Sequence, residues 1–207
     1  VVKWDGDGNG SRQISHSLES VPGCIMIKRT DDSYNWYVYH RGLDSSNPER
    51  YFVRLDENSA ATNTTGQQWM AAAPTSTNFT LAADIGGSGY EGLNTSGQSY
   101  VAYVFGHDDQ SFGKAENASV IKCGTYTTDS NEDATINLGW EPQWVLAKRI
   151  DSNSAADWMI VDSMRGFPNA QNVEQNNSGE CHVLEANDNA AELNTSRLGL
   201  TSTGFYA

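Results

Sequence analysis

The chain has 207 residues, with 13 Lys and Arg against 26 Asp and Glu, so its formal charge at pH 7 is −13. This charge excludes a protein that reads the nucleic-acid backbone, which needs a cationic surface, and it argues against binding to anionic membranes. No run of about 18 apolar residues is present to span a bilayer. The three cysteines are scattered without CxxC spacing, which favours folding in a reducing cytoplasm over a disulfide framework.

Short strand-like segments follow one another along the first half of the chain. Residues 24–27 form an apolar run, and residues 36–40 are rich in aromatic and branched side chains. The polar stretch between them predicts a hairpin. Residues 51–55 alternate in polarity and residues 100–105 are apolar, so each predicts a further strand.

The second half shows the same kind of segment. Residues 144–147 and 158–162 are strand-like and flank a polar turn. No stretch of the chain keeps a 3.6-residue apolar period for three turns, which a helix would need. The sequence therefore predicts an all-β fold, as antiparallel β-sandwich or jelly-roll modules of lectin-like type in tandem.

The second half also repeats the first in residue order. Three matched pairs carry the repeat: Lys28-Arg29 with Lys148-Arg149, Arg41-Gly42 with Arg165-Gly166, and residues 75–79 with 201–205. Ordered matches of this kind predict a duplicated module. We expect a first repeat at residues 1–112, a linker at 113–118, and a second repeat at 119–207 that stops short of the segment matching residues 80–112.

A loop near the start of the chain has the composition of a calcium site. Asp5, Asp7 and Asn9 alternate with glycine, and oxygen ligands at alternate positions followed by glycine are typical of calcium loops. The position of the bidentate acid of an EF-hand is taken by His16, however. Calcium is the one cofactor that the sequence suggests, and we favour the alternative interpretation, a hairpin turn.

Catalytic signatures are weak. His107 stands beside Asp108, but adjacent residues of a strand point to opposite faces, so we interpret the pair as a solvated strand end. No nucleophile motif occurs, and no spacing singles out two carboxylates for glycoside cleavage. We therefore predict a protein that is not an enzyme.

Basic and aromatic residues offer the remaining candidates. The Lys-Arg pairs at 28–29 and 148–149 are each followed by an aspartate two residues on. Since residues alternate across a strand, we expect one of each pair to face an acid within the sheet or in a neighbouring subunit, as a structural ion pair rather than for ligand binding. Trp36 and Trp158 begin matching strands and are expected in a core or interdomain contact. Trp4, Trp69 and Trp140 lie near turns, where they would stack on sugar rings or pack at an interface.

The paired segments 21–42 and 141–166 carry a family resemblance that covers nearly the whole chain. Together with residues 100–113 and the following Ile121-Lys122-Cys123-Gly124-Thr125-Tyr126, they resemble the repeat domain of virion structural proteins of marine bacteriophages. Notable among these are tail-fibre-like proteins of phages that infect cyanobacteria and other marine bacteria. The resemblance implies a β-sandwich module in a virion tail or surface appendage, and it brings no catalytic residue.

The resemblance also implies partners and a location. A trimer of the chain, other virion proteins and a host-surface polysaccharide are the expected partners, with assembly in the host cytoplasm before release. Three other functions stay open at this point: a carbohydrate-binding module, a depolymerase of an appendage, and a subunit of a secreted bacterial filament or adhesin.

Overall fold

In the part of the chain that the structure describes, nearly all regular secondary structure is β-strand. A computed structural model describes residues 1–64, 69–83, 92–107, 114, 118–152, 156–167, 181–195 and 198–207. Within these ranges the one helix is a short 3-10 turn, Pro48–Arg50, and the strands form several antiparallel sheets. The predicted all-β, sandwich-like class is confirmed. Contacts group the chain into two compact units, the first of Val1–Leu55 with Ser59–Gly124 and the second of Asp56–Asn58 with Thr125–Ala207.

The first unit has a large and a small sheet. Its described strands are β1 (Val2–Asp5), β2 (Arg12–Ser15), β3 (Cys24–Arg29), β4 (Tyr37–His40), β5 (Tyr51–Arg54), β6 (Thr62–Asn63), β7 (Met70–Ala72), β8 (Asn78–Leu81) and β9 (Ser99–Phe105). The large sheet has the order β1-β9-β3-β4-β5-β6, and the small sheet has the order β2-β8-β7.

Both sheets of the first unit contribute to one core. Ile25 and Ile27 of β3 point to the same face, because alternate residues of a strand do so, and both are fully buried. Phe79 of the small sheet belongs to the same buried cluster. Tyr37 and Phe52 meet edge to face, with ring centroids 4.9 Å apart. Two sheets that share one apolar core form a sandwich.

The second unit has the same two-sheet construction with fewer strands. Its described strands are β10 (Thr135–Asn137), β11 (Trp144–Ala147), β12 (Met159–Asp162), β13 (Cys181–Glu185), β14 (Leu193–Thr195), β15 (Gly199–Thr201) and β16 (Gly204–Tyr206). Four strands pair in the order β11-β12-β13-β14, and three pair in the order β10-β16-β15. Val145, Val161 and Phe205 meet in its core.

The two units share strand order and register. Cys24 of β3 lies opposite His40 of β4, and Trp144 of β11 lies opposite Asp162 of β12. Three further pairs of the first unit have a counterpart in the second. Val38 opposite Val53 corresponds to Ile160 opposite Leu184, and Phe52 opposite Thr62 corresponds to Val183 opposite Leu193. In the small sheets, Ile14 opposite Phe79 corresponds to Ile136 opposite Phe205. The segments that match in sequence thus occupy matching positions in the sheets.

The units differ beside their first hairpin strand. In the first unit the large sheet continues from β3 to β9 and then to β1. Among the described strands of the second unit, β11 pairs only with β12. One long edge of β11 therefore has no described strand on it.

Two sequence-based expectations concern segments that the structure covers only in part. Of the linker predicted at 113–118, only Lys114 and Ala118 belong to the described residues, and the acids at 108–109 beside His107 lie outside them. No helix in the described part of the chain is long and apolar enough to cross a membrane.

Candidate functional site

The loop that was predicted to bind calcium is built around the side chain of Asn94. Asn94 is fully buried. Its Nδ2 donates to Asp7 Oδ1 at 2.6 Å and to the carbonyl oxygen of Asn9 at 2.8 Å. Its Oδ1 accepts from the Asp7 amide and from Arg12 Nη1, each at 3.2 Å. The side chain of Asn94 therefore hydrogen-bonds to three residues of this loop, Asp7, Asn9 and Arg12. We call residues 5–12 together with Asn94 the Asn94 loop.

Donors of the protein contact both carboxylate oxygens of Asp7 and one of Asp5. The amide of Asn9 donates to Asp7 Oδ1 at 3.0 Å, and Arg12 Nη1 lies 3.4 Å from Asp7 Oδ2. The Asn9 amide, then the Asn94 side chain and Arg12, lower the pKa of Asp7. The carboxylate of Asp5 accepts from the Ser99 hydroxyl at 2.8 Å.

The calcium site at Asp5, Asp7 and Asn9 stays a prediction, and these contacts favour the turn. The cation beside Asp7 is the Arg12 guanidinium. Among the described residues, no group of three His, Cys, Asp or Glu side chains is placed to hold a metal ion. The alternative interpretation, a turn, fits the geometry. Gly6 makes the turn possible, because a Cβ there would lie 1.9 Å from a backbone carbonyl oxygen.

Two of the three candidate sugar-stacking tryptophans are core residues. Trp4 and Trp69 are only 7% and 8% exposed. Trp4 stacks on Tyr100 with centroids 5.4 Å apart and an interplanar angle of 12°, and Trp69 meets Phe52 edge to face at 5.8 Å. Each indole also donates its N–H to a backbone carbonyl, Trp4 at 3.2 Å and Trp69 at 3.0 Å.

A sugar needs an accessible ring face, so the prediction of ring stacking on a glycan is corrected for Trp4 and Trp69. Trp140 differs from them. It lies half-buried at the bend between β10 and β11, and it is the one of the three whose ring keeps solvent access.

Sequence reasoning missed a cluster of two cysteines and two histidines in the first unit. Cys24 and His40 are opposite each other on β3 and β4, and the amide of Cys123 donates to Nδ1 of His107 at 3.0 Å. Gly23 lies between the two pairs, where a Cβ would come within 2.7 Å of both Cys123 and His107. The spacing of these residues along the chain gives no sign of the cluster, since strand register and a return of the chain 16 residues after His107 assemble it.

Burial keeps two members of this cluster, Cys24 and His40, uncharged at neutral pH. Burial, and then the neighbouring His107 and Arg41, lower the pKa of His40 to about 4, so its ring is neutral at pH 7. Burial and then Cys123 raise the pKa of the Cys24 thiol above its usual range, and a thiol is a poor nucleophile and a poor metal ligand. The Gly42 amide donates to His40 Nδ1 at 3.1 Å, which leaves the hydrogen of the neutral ring on Nε2.

A shallow acidic recess lies in the second unit. It has a volume of about 410 Å³ and is lined by Asp56, Glu57, Asn58, Asp157, Asn187 and Asp188. The side-chain Nδ2 of Asn187 donates to Asp157 Oδ1 at 2.7 Å. Burial, then Asp157 and Asp188, raise the pKa of the nearby Glu185. The lining residues come from three turns far apart in sequence, so only the acidic character of each turn was visible beforehand.

The basic pairs behave as predicted. Arg29 Nε donates to Asp31 Oδ1 at 2.7 Å, and Arg149 Nε donates to Asp151 Oδ1 at 2.8 Å. The predicted structural ion pairs are thus present in both units. Trp158 is buried, as expected for the start of its strand.

Comparison with known proteins gives a family and no function. The family model described as "Domain of unknown function (DUF7483)" matches residues 1–207, so the chain belongs to that family. No curated protein and no solved structure matches the chain.

Proposed function

For this member of the DUF7483 family, we propose a non-enzymatic structural role in a bacteriophage virion. The chain serves as a repeated β-sandwich module of a tail fibre or other surface appendage, and contact with host-surface glycans is a secondary property. The proposal starts from the sequence resemblance to tail-fibre-like proteins of marine phages.

The observation that carries the proposal is the repetition of one module within the chain. Both units use the strand order of β3-β4-β5-β6 with matching register, and both cover it with a small three-stranded sheet. Modules repeated along one polypeptide suit extended assemblies, because each repeat needs to contact only its neighbours. A net charge of −13 keeps the exposed surface of such an assembly soluble.

The state of the reactive side chains supports a structural role over catalysis. General acid–base catalysis works best with a pKa near the operating pH, whereas the pKa of His40 is lowered to about 4. A nucleophilic cysteine needs a lowered pKa, whereas burial raises the pKa of both Cys24 and Cys181. His40, Cys24 and Cys181 are therefore not tuned for acid–base or nucleophilic catalysis.

The direct test is to locate the chain on the virion. Antibodies against the recombinant chain are applied with gold labelling to purified particles of the phage that encodes it, and tryptic peptides are counted in the same particles. We expect label on a tail or surface appendage and several copies per particle. Particles without the chain would overturn the proposal, and label on the envelope of uninfected cells would favour the adhesin alternative.

Two further measurements separate the remaining alternatives. Light scattering after size-exclusion chromatography gives the native mass, and a trimer is expected from the resemblance. Incubation with host envelope polysaccharide tests for new reducing ends, which only a depolymerase would release. A glycan panel with Trp140→Ala tests the carbohydrate-binding alternative, since loss of binding with an intact fold would favour it.

A further inference from the structure

The outer edge of β11, on which no described strand lies, presents a defined row of backbone groups. In an antiparallel pair, a strand directs the N–H and C=O of alternate residues to one neighbour and those of the intervening residues to the other. The amide of Ser163 donates to the carbonyl of Gln143 at 3.0 Å, which sets this alternation for β11 and β12. Trp144, Leu146 and Lys148 therefore direct their backbone groups away from β12, to the edge on which no described strand lies.

The first unit shows what occupies the same edge. The amide of Thr30 donates to the carbonyl of Ser99 at 2.8 Å, so the even-numbered residues of β3 bond to β9. Cys24 and Met26 lie at the positions that Trp144 and Leu146 take in the second unit, and they face Phe105 and Tyr103 of β9. The register of β9 on β3 thus gives the register for a strand on β11.

The side chains of β11 are more exposed than their counterparts on β3. Trp144 is 54% exposed, whereas its counterpart Cys24 is 8% exposed. Val145 and Ala147 face the core but keep 9% and 8% exposure, whereas Ile25 and Ile27 in the first unit have none. In the first unit, β9 brings Tyr100 and Ala102 into the core beside β3.

The four residues of β11 carry neither charge nor proline, and Lys148 is the first charged residue along the same edge. Exposed edge strands normally carry proline, a bulge or an inward-pointing charge, because an unprotected edge pairs with other chains. The strand also pairs with β12 without a bulge. An apolar edge of this kind is typical of a strand that has a partner in the mature assembly.

We propose that the outer edge of β11 accepts one antiparallel strand of the β9 type, and that the occupant is the second repeat's own counterpart of β9, supplied by the same polypeptide. The pattern to be matched is that of Ser99–Phe105, with small or aromatic side chains at the positions of Tyr100 and Ala102 facing the core. The proposal does not depend on the virion role.

The test extends the full chain by a copy of residues 82–107 placed directly after Ala207. This junction follows the repeat, because Phe205 of β16 matches Phe79 of β8. Backbone amide exchange is measured by NMR with and without the extension. We expect the amides of Trp144, Leu146 and Lys148 to exchange at least about tenfold more slowly in the extended chain. The amide of Val145, which faces β12, serves as the internal reference within the strand.

A pair of variants in the appended copy controls for unspecific effects. Val101 in β9 directs its N–H to Lys28, so Val101→Pro in the copy removes a donor that faces β11 and is expected to abolish the slowing. Val101→Ala in the copy keeps that donor, so we expect the slower amide exchange to be retained. Equal exchange rates with and without the extension would overturn the proposal.

Two further outcomes are decisive. If the extended chain fails to fold, a synthetic peptide of residues 97–107 is added to the unextended chain, and shifts of the same three amides are expected; their absence would overturn the proposal. Slow exchange already present in the unextended chain would also overturn it. A dependence of that slow exchange on concentration would identify a second copy of the chain as the occupant.

Discussion

Replacing Asn94 by alanine tests how the Asn94 loop is held. Asn94→Ala removes four hydrogen bonds, two donated by the amide and two accepted by its oxygen. A typical hydrogen bond contributes about 0.5–1.5 kcal/mol net. Since Asp7 and Asn9 are exposed and can bond to water afterwards, we take the lower part of that range for each bond. The expected loss is about 2–3 kcal/mol in the free energy of unfolding.

Differential scanning calorimetry of the full chain measures this loss. A loss of that size corresponds to a fall of roughly 6–10 °C in the melting temperature of the first unit. Asn131→Ala is the matched control, because Asn131 is an exposed turn residue of the second unit, and we expect a change within about 0.5 kcal/mol.

The same experiment tests the calcium prediction against the turn. Addition of calcium at about 1 mM, where weak extracellular sites fill, is expected to leave the melting temperature of the unsubstituted chain unchanged relative to EDTA. A calcium-dependent rise that Asn94→Ala removes would refute the reasoning. A loss below about 1 kcal/mol for Asn94→Ala would refute it as well.

Three further predictions concern pH, packing and a close backbone approach. Burial lowers the pKa of His40 to about 4 from 6.5, so the unfolded state binds a proton that the folded state does not between these values. Stability is therefore lost as the pH falls from about 6.5 to 4, by about 2–3 kcal/mol, and urea unfolding of His40→Asn should show a weaker dependence over that window. Trp69→Ala should cost about 3–5 kcal/mol by emptying a core position, measured by thermal unfolding. Gly6→Ala should cost more than about 2 kcal/mol, because its Cβ would clash with a carbonyl oxygen, whereas Gly124→Ala, with open space around it, should change stability by less than about 0.5 kcal/mol.

Each of these has an outcome that contradicts it. An unchanged pH profile in His40→Asn would show that other groups govern acid stability. A Trp69→Ala variant that keeps its melting temperature while losing a bound glycan would restore the sugar-stacking interpretation. Equal stabilities of Gly6→Ala and Gly124→Ala would show that the backbone around Gly6 shifts to accommodate a Cβ at little cost.

Local pattern was enough to predict the strands. Apolar runs and alternation placed strands at residues 24–27, 51–55 and 100–105, and the structure has β3, β5 and β9 there. An acid partner for each basic pair was also expected, and the structure shows it to be the aspartate two residues on, Asp31 for Arg29 and Asp151 for Arg149. These features depend on neighbours in sequence.

The candidate sites depended on distant partners and were harder to predict. The sequence around Asp7 shows a loop rich in oxygen ligands, but the amide that fills it belongs to Asn94, 87 residues away. Trp4 and Trp69 stand beside turns in the sequence, and only the assembled sandwich places aromatic rings against them. The composition of a segment does not determine which groups the fold brings to it.

The lysine of each basic pair has a consequence for how the hairpins tolerate change. Lys28 Nζ donates to the carbonyl oxygen of Tyr34, and Lys148 Nζ donates to that of Ala156. In both units the acceptor lies two residues before the tryptophan that leads into the next strand, although the second hairpin has the longer connection. The ammonium group anchors the returning chain at a fixed place, so the connection can lengthen without shifting the strands. These two loops are therefore natural places for inserted peptides, new chain ends or rapid sequence drift, while the sheets behind them stay in register.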